Sequence, residues 1–351
     1  MPDERTRVLV TGATGFVGGA LLRAFRVHPG VDVRGVGRRR VEDPDVASLD
    51  LARPVALPFG DAFRPDVIVH AAARTSQWGT RAQFRAQNVD ATANVLDLAR
   101  RCGTRRVVYV SSTSVLYRPA DQFGLTESSP AGPRFLNEYA RTKHAGEELV
   151  RRHPGEWVVA RPRAVFGPGD TTLLPRILEA VRGGRLPFLG DPRHPAMGDL
   201  VYIDTLVAQL VEAALRPGLA GLTVNLTNGE PVPIMPTIAR LLHELGLPVP
   251  RRTIRRAPAL AIATAAETAW RVGRLPGEPP LTRYAVWLLA SSKTFDDTRA
   301  RGLFGPPAVG MDEALDRTVA AARAEAEARA APAARAARAI PGARAAREAA
   351  R

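Results

Sequence analysis

A chain of 351 residues with 45% hydrophobic content is long enough to bury a sizeable core, as one large domain or as two closely packed ones. Its single cysteine, Cys102, excludes an internal disulfide and fits a reducing compartment. The net charge of +14 comes from arginines in scattered clusters and in an Ala/Arg-rich C-terminal stretch. These arginines lack the aromatic or polar readers of a nucleic-acid surface, so we expect no nucleic-acid partner.

The first half of the chain alternates apolar runs with amphipathic segments, which predicts an α/β fold with a doubly wound parallel sheet. The polar N-terminus leads straight into the first apolar run without a signal-peptide core, so we expect a cytoplasmic protein. We predict strands over residues 7–11, 31–37, 66–71, 105–111 and 157–161, and helices over residues 16–28, 81–101 and 135–152.

A glycine-rich turn joins the first predicted strand to the first predicted helix. Its three glycines are spaced by two residues, which allows a tight turn, a close approach of the backbone to a pyrophosphate and close packing of helix on strand. The free N–H groups and the dipole at the helix N-terminus favour an anion. We therefore expect a dinucleotide to bind at Gly12, Thr14, Gly15, Phe16, Val17 and Gly18.

The end of the second predicted strand bears on the choice of dinucleotide. An NAD site usually has an acidic residue here for the ribose 2′-hydroxyl, whereas this chain has Gly37 followed by Arg38. An arginine can pair with the 2′-phosphate of NADP. The sequence therefore favours NADP(H), with NAD(H) as the alternative, and we expect Asp50 and Leu51 to contact the adenine.

Two further strand ends carry residues suited to a ligand, because ligands bind at the carboxyl ends of the strands in open α/β sheets. The small residues 71–73 let a cofactor lie against the backbone, and we interpret His70 before them as a structural residue. The hydroxyl-rich run 111–114 can hydrogen-bond a substrate carbonyl as it becomes an alkoxide. The six histidines and the lone cysteine show no metal-ligand spacing, so we expect no metal.

Tyr139 and Lys143 are four residues apart and share one face of a predicted helix. A free phenol loses its proton at about pH 10, too high for an acid–base group that works near neutrality. A lysine ammonium on the next turn favours the phenolate and brings the pKa of the phenol down. The pair is therefore a candidate acid–base site.

The regular alternation is lost after residue 170, where segments are shorter and rich in Pro and Gly. We predict helices near 173–181, 204–215, 237–245 and 311–328. We divide the chain into a dinucleotide-binding domain over 1–170, to which parts of 200–230 can return, a substrate-binding part over 171–328 and a disordered tail over 329–351. Arginines before the apolar run 257–266 would suit an anionic membrane surface, but we favour a helix that covers the pocket or the core.

Together these motifs resemble those of the extended short-chain dehydrogenase/reductase family, which are NAD-dependent epimerase/dehydratase-like proteins. The matching segments, in chain order, are TGATGFVG at 11–18, Asp50-Leu51, HAAA at 70–73, Asn88-Val89, SST at 111–113, YARTK at 139–143, Arg161-Pro162 and VFGPG at 165–169.

The resemblance implies a Rossmann-type domain with a catalytic triad. Tyr139 would be the acid–base residue, Lys143 would lower its pKa and hold the nicotinamide ribose, and Thr113 would be the catalytic hydroxyl, with Ser112 as its near neighbour. Pro162 and Val165 would contact the cofactor. A hydride would pass between the nicotinamide and a carbinol carbon.

Within the family, Ser76, Trp78 and the segments 275–284 and 293–296 resemble bacterial 3β-hydroxysteroid dehydrogenase-like proteins and related 3-oxoacyl ketone reductases. This subgroup implies a ketone or secondary alcohol of an apolar substrate, such as a steroid, a 3-oxoacyl chain or a polyketide-like intermediate. We expect the substrate near Ser76, Trp78, Ser112, Thr113 and Phe166.

Two alternatives stay open. One is a nucleotide-sugar epimerase with retained NAD, although Gly198 stands where many such enzymes have an arginine that meets the sugar diphosphate, and another arginine could replace it. The other is a non-catalytic NADP-binding sensor, although such proteins commonly lose the tyrosine or the lysine. A homodimer that binds a small-molecule substrate is compatible with all three hypotheses.

Overall fold

The computed structural model describes residues 5–338 with the exception of 57, 58, 61, 133 and 185. The strands are β1 (Thr6–Thr11), β2 (Val31–Gly37), β3 (Val46–Ser48), β4 (Val67–His70), β5 (Arg106–Val110), β6 (Gln122–Leu125), β7 (Glu156–Pro162), β8 (Val165–Phe166), β9 (Phe188–Leu189), β10 (Met197–Gly198), β11 (Val201–Tyr202), β12 (Leu222–Leu226), β13 (Val232–Pro233), β14 (Thr253–Ile254) and β15 (Lys293–Phe295). The α-helices are α1 (Phe16–Val27), α2 (Arg81–Phe84), α3 (Ala91–Cys102), α4 (Glu138–Arg151), α5 (Leu174–Arg182), α6 (Ile203–Leu215), α7 (Ile234–Glu244), α8 (Arg256–Val272), α9 (Arg283–Leu289), α10 (Thr298–Phe304) and α11 (Met311–Arg338).

Seven parallel strands form the central sheet in the order β12-β7-β5-β4-β1-β2-β3. Val8, Val10, Val67, Val69 and Val108 are fully buried, which matches the continuous apolar runs of strands covered on both faces. The chain runs outward from β1 first through β2 and β3 and then, in the other direction, through β4 and β5. The order therefore reverses beside β1, and a crevice opens there at the carboxyl ends of the strands.

The predicted doubly wound sheet is confirmed, and every helix and strand predicted in the first half lies within three residues of its observed bounds. The long helix predicted over 81–101 is interrupted by one π-helical turn, Arg85–Asp90, between α2 and α3. Such turns are rare and occur frequently at functional sites. Strand β12 pairs with β7, so part of the 200–230 region lies in the central sheet.

The C-terminal part contributes three strands to a four-stranded sheet in the order β13-β10-β15-β6, in which β6 comes from the first half of the chain, and it adds a second apolar core. Helix α8 contributes Ala259 and Ala263 to this core and packs on α9, so the apolar run 257–266 covers the core. No helix within the described residues is both long enough and apolar enough to span a bilayer.

Helix α11 continues to Arg338, into the stretch for which the sequence predicted disorder from residue 329. Alanine and arginine are among the strongest helix formers, so an Ala/Arg-rich stretch readily extends a helix that has already begun. The remainder of the predicted tail, residues 339–351, lies outside the described residues.

Candidate active site

A cleft of about 490 Å³ runs along the carboxyl edge of the central sheet. It begins between the glycine-rich turn and the end of β2, passes the ends of β4 and β5, and reaches the N-terminal turns of α4. All the residues predicted to bind the dinucleotide line this cleft, and they are Gly12, Thr14, Gly15, Phe16, Val17, Gly18, Arg38, Asp50, Leu51, Ala71, Ala72, Ala73, Tyr139, Lys143, Pro162 and Val165.

The glycine-rich turn is shaped by its lack of side chains. Gly12 has a φ of +74°, and a Cβ on it would lie 2.8 Å from the backbone nitrogen of Ala72. A Cβ on Gly18 would lie 2.2 Å from the carbonyl oxygen of Gly12, so only glycine allows α1 to approach the turn this closely. Gly15 is the N-cap of α1, and the unpaired N–H groups of that helix face the cleft.

The end of the cleft beside β2 has two arginines. Arg38 and Arg39 are exposed and line the cleft, and the Arg39 guanidinium donates to the carbonyl oxygen of Thr14. A Cβ on Gly37 would lie only 2.5 Å from Thr14 Oγ1, so any side chain at this position would require the Thr14 side chain to move.

Tyr139 and Lys143 lie on the first two turns of α4, which begins at the N-cap Asn137. Lys143 is 1% exposed, and its Nζ lies 4.1 Å from the centroid of the Tyr109 ring. Burial lowers the pKa of Lys143 to about 7, against an opposing effect of Glu147. Burial also raises the pKa of Tyr139 to about 12, although the Ser112 side chain lowers it.

The expectation that Lys143 brings the phenol toward neutral pKa is therefore wrong for this structure. The reason is that burial is the largest effect on both groups and disfavours both charged forms, the phenolate and the ammonium. Tyr139 is protonated at neutral pH, which suits a group that donates a proton.

The hydroxyl that interacts with Tyr139 belongs to Ser112, not to Thr113. Thr113 is 1% exposed, and its Oγ1 lies 3.0 Å from the phenol oxygen of Tyr117 and 3.4 Å from the carbonyl oxygen of Pro162. The 3₁₀ turn Thr113–Leu116, capped by Ser112, directs these two neighbouring hydroxyls to different partners. Both residues line the cleft, and of the two only Ser112 is among the groups that shift the pKa of Tyr139.

A buried ion pair holds α4 against the sheet. Glu147, one turn after Lys143, is fully buried and accepts from Arg161 at 2.8 and 2.7 Å, from Arg151 at 2.8 Å and from Ser111 at 2.6 Å. These donors hold the pKa of Glu147 below its usual value in spite of burial. Sequence reasoning missed this carboxylate, although the i, i+4, i+8 spacing of Tyr139, Lys143 and Glu147 was a usable signal.

Asn88 is a second functional residue whose role the sequence did not reveal. It lies in the π-helical turn, accepts from the backbone nitrogen of Arg74 at 2.7 Å and donates to Thr142 Oγ1 at 2.9 Å. It thereby connects the loop after β4 to the helix that carries Tyr139. His70, bound by Thr11 at 2.7 Å, is 1% exposed, and burial lowers its pKa to about 3, so it is a neutral structural residue.

The predicted substrate residues divide into two groups. Ser76, Ser112 and Thr113 line the cleft, whereas Trp78 and Phe166 do not. The Arg271 guanidinium lies 5.1 Å from the Trp78 ring centroid. Phe166 is 4% exposed and packs on Tyr202, with ring centroids 5.7 Å apart, and it lines a second cavity that adjoins the cleft.

Beyond Tyr139 the cleft is lined by residues that the sequence did not single out, namely Gln77, Tyr117, Arg163, Leu173, Arg176, Tyr284 and Leu288. A second cavity of about 60 Å³, lined mainly by aliphatic side chains, lies behind this end. The two cavities share Arg163, Ala164, Leu173 and Leu288. Within the described residues, no group of three or more His, Cys, Asp or Glu side chains is arranged to hold a metal ion.

Comparisons with known proteins agree with this arrangement. The model of the NAD dependent epimerase/dehydratase family matches residues 8–226. The chain is 35% identical over 341 residues to the 2-alkyl-3-oxoalkanoate reductase of Stenotrophomonas maltophilia (strain K279a), covering 91% of this chain and 100% of the relative. It is 31% identical over 271 residues to 3beta-hydroxysteroid-dehydrogenase/decarboxylase isoform 1 of Arabidopsis thaliana, covering 72% of this chain and 61% of the relative. The solved structure of MoeE5 in complex with UDP-glucose and NAD has a TM-score of 0.68 and 24% identity, covers 91% of this chain and 99% of that chain, and shows the same fold.

Proposed function

Because the chain belongs to the NAD dependent epimerase/dehydratase family, we propose that it is an oxidoreductase that moves a hydride between a nicotinamide dinucleotide and a ketone or secondary alcohol. The observation that carries this proposal is that one cleft joins the glycine-rich turn, the Tyr139/Lys143 pair and an apolar end. The relatives named above are a reductase and a dehydrogenase, which supports the same chemistry.

The residues of this chain handle the proton, while the bound nicotinamide supplies or accepts the hydride. In the direction of reduction, the neutral Tyr139 phenol donates its proton to the substrate oxygen as that oxygen gains negative charge. Ser112, beside the phenol, is placed to hydrogen-bond the same oxygen. Lys143 has a pKa near 7. When Lys143 is protonated, its positive charge lowers the free energy of the phenolate that Tyr139 forms on giving up its proton.

NADP(H) is the dinucleotide that we favour. The family accounts for nicotinamide dinucleotide binding as such, and the preference for the phosphorylated form rests on the arginines at the end of β2. Gly37 supplies no carboxylate for a ribose 2′-hydroxyl, while Arg38 and Arg39 offer two guanidinium groups suited to a 2′-phosphate.

The substrate that we favour is an apolar 3-oxo compound. A relative that covers nearly the whole chain is named for a 2-alkyl-3-oxoalkanoate, and the aliphatic cavity behind the cleft could take an alkyl chain. A nucleotide-sugar epimerase is less supported, because the epimerase-like solved structure shares only the fold with this chain. The sensor hypothesis is also less supported, since Tyr139 and Lys143 are both present in the cleft.

The test is to follow NADPH oxidation with a panel of ketones that includes a 2-alkyl-3-oxoalkanoate. For Tyr139→Phe we expect kcat to fall by at least about a hundredfold, since proton transfer by a positioned group contributes about 10²–10⁴-fold. NADPH affinity, measured by fluorescence titration, should change little. Tyr202→Phe, at a tyrosine that does not line the cleft, is the matched control and should keep full activity. Full activity in Tyr139→Phe would refute the proposed mechanism.

A further inference from the structure

Arg163 is a buried cation at the substrate end of the cleft that the chemistry proposed above does not use. Arg163 is 3% exposed, and its Nε has no hydrogen-bond partner within the described part of the chain. No carboxylate of the described residues lies within 4.0 Å of its guanidinium. The guanidinium lies 5.4 Å from the centroid of the Tyr117 ring and lines both the cleft and the aliphatic cavity behind it.

A buried guanidinium with an unused donor is unfavourable by itself. Removal of a charge from water and loss of a hydrogen bond both raise the free energy of the folded state. A planar carboxylate that accepts two parallel N–H bonds is the partner that best offsets both effects. Arg163 therefore has the properties of an anion-binding residue rather than of a structural one such as Arg161, whose donors are engaged by Glu147.

We propose that Arg163 binds a carboxylate on the substrate, so that the enzyme acts on a 3-oxo or 3-hydroxy carboxylic acid whose alkyl chain enters the adjoining cavity. This inference rests on the proposed function and deepens it by assigning the residue that recognises the acid group. A relative's name contains the word oxoalkanoate, but nothing in that name indicates which residue would bind the carboxylate.

The contacts around Arg163 place it near the reacting oxygen. Arg163 packs on Tyr117, the phenol oxygen of Tyr117 lies 3.0 Å from Thr113 Oγ1, and Tyr117 is close enough to Tyr139 to raise its pKa. In a 3-oxo acid one carbon separates the ketone from the acid group, and the proposal assigns the ketone oxygen to Tyr139 and the carboxylate to Arg163.

The other charges near Arg163 permit this role. Asp199 is fully buried and accepts from the backbone nitrogen of Phe295 at 2.9 Å, while its Oδ1 has no partner within the described residues. Burial raises the pKa of Asp199 to about 6, and the positive charge of Arg163 opposes this shift, so Asp199 is a nearby negative charge at neutral pH with which a substrate carboxylate would share Arg163. The Lys293 Nζ lies 5.9 Å from the centroid of the Tyr117 ring and donates to the carbonyl oxygen of Ala120. Lys293 is therefore a second positive charge beside that ring. The negative charge of Asp297 also raises the pKa of Asp199.

Aliphatic side chains in the wall that the two cavities share support an alkyl chain on the proposed substrate. Leu173 and Leu288 line both, and the second cavity continues between Ile177, Ile238 and Leu289. A substrate with its acid group on Arg163 would have aliphatic side chains on both sides of its chain. A sugar nucleotide offers no group that suits this wall.

The experiment compares a 2-alkyl-3-hydroxyalkanoate with its methyl ester as substrates for oxidation by NADP⁺, because the hydroxy acid does not lose carbon dioxide as a 3-oxo acid does. We expect the wild type to prefer the acid by at least about tenfold in kcat/KM. In Arg163→Gln the acid should lose about 10- to 100-fold, mainly through KM, while the ester changes by less than about threefold. Arg163→Lys, which keeps the charge but not the two-pronged geometry, should fall between.

Arg106→Gln is the matched control for loss of a buried arginine. Arg106 is fully buried at the amino end of β5, where it pairs with Glu156 at 2.6 Å and binds carbonyl oxygens, far from the cleft lining. We expect this variant to lower the melting temperature and to leave the ratio of acid to ester activity unchanged.

Several outcomes would overturn the inference. Equal use of acid and ester by the wild type, or an equal loss of both in Arg163→Gln, would make Arg163 a structural residue only. Weaker binding of UDP-glucose but not of the hydroxy acid in that variant would assign it to a diphosphate. If neither compound is oxidised, the proposed function fails, and calorimetric titration of acid and ester in the presence of NADP⁺ still decides this inference. Tighter binding of the acid by wild type alone supports it, and equal binding refutes it.

Discussion

Burial of the charged Lys143 side chain lowers the stability of the folded protein. It is 1% exposed, and its pKa falls from 10.5 to about 7 on burial. Below about pH 7 both the folded and the unfolded chain carry the proton, so the full penalty of burying the charge applies. Between about pH 7 and 10.5 only the unfolded chain is protonated, so the penalty disappears as pH rises.

We therefore predict that Lys143→Met abolishes hydride transfer yet raises the melting temperature at pH 6 by at least about 3 °C, since 1 kcal/mol shifts it by about 2–4 °C in larger domains. The measurement is calorimetry at pH 6, 7, 8, 9 and 10. The advantage of the variant should shrink steadily toward pH 10. An advantage that is independent of pH would mean that better packing, and not loss of the buried charge, is the cause.

A second prediction at the scale of single residues concerns Arg38. If it pairs with a 2′-phosphate, Arg38→Ala should raise KM for NADPH by about tenfold and leave KM for NADH nearly unchanged, since hydrogen bonds to charged groups contribute about 1.5–3 kcal/mol. Initial rates with each dinucleotide measure this. Arg40→Ala is the control, because Arg40 is exposed but does not line the cleft. A wild type that prefers NADH would contradict the whole argument about the end of β2.

At the scale of the elements, α4 carries Tyr139 and Lys143, and the buried carboxylate of Glu147 fixes that helix to β7 through Arg161. We predict that Glu147→Gln destabilises the fold by about 3–5 kcal/mol, because it leaves Arg161 as a buried charge without a charged partner. Urea denaturation at pH 7 measures the loss. Glu148→Gln removes a half-exposed partner of Arg151 from the same helix and should cost less than about 1 kcal/mol.

The destabilisation caused by Glu147→Gln should depend on pH. The folded-state pKa of Glu147 is lowered, so its contribution is fully present above the unfolded value of about 4.5 and is lost as pH falls through the folded value. Wild type and Glu147→Gln should therefore become more similar in stability below about pH 4. A difference that stays constant down to that pH would show that the variant acts through packing alone.

At the scale of the whole molecule, the loop after β4 is joined to the C-terminal part across the mouth of the cleft. Ser76 donates to Glu278, Glu278 pairs with Arg176 at 3.3 Å, and Thr282 donates to Gln77 at 3.2 Å. The Ser76–Glu278 and Gln77–Thr282 contacts connect residues 202 and 205 positions apart in the chain, and the Arg176–Glu278 pair connects residues 102 positions apart. Since Ser76, Gln77 and Arg176 also line the cleft, the order of its substrate end depends on this connection.

We predict that Glu278→Ala raises KM for the substrate by about 3- to 10-fold, the size expected for exposed polar contacts, with little change in KM for the dinucleotide. Steady-state kinetics with both ligands varied measures this. Glu313→Ala breaks an exposed ion pair with Arg317 elsewhere on the molecule and is the control. Equal increases in both KM values would point to a general loss of stability instead.

Particular residues show how far the sequence alone could reach. The spacing of Gly12, Gly15 and Gly18 predicted the dinucleotide turn, because sequence neighbours form it and its demands on side chains are local. The family resemblance and the doubly wound sheet are confirmed. Tyr139 and Lys143 both line the cleft, but the pKa of the phenol was predicted in the wrong direction, because burial is not visible in a four-residue spacing.

Other residues could not be assigned from the sequence, since their roles depend on distant partners. Thr113 and Ser112 are adjacent hydroxyls, and only the turn that follows them decides which one meets Tyr139. Trp78 and Phe166 looked equally suited to a substrate, yet neither lines the cleft, and Phe166 lines the second cavity instead.

The sequence by itself therefore determined the alternation of strands and helices, the dinucleotide turn and the pair on α4, since each follows from periodicity or spacing within a short segment. The tertiary structure decided which hydroxyl meets the phenol, which ionisable groups lose their charge on burial and which arginine is left with an unused donor at the substrate end. Those properties depend on desolvation and on contacts between segments far apart in the chain, and no local pattern of residues encodes either.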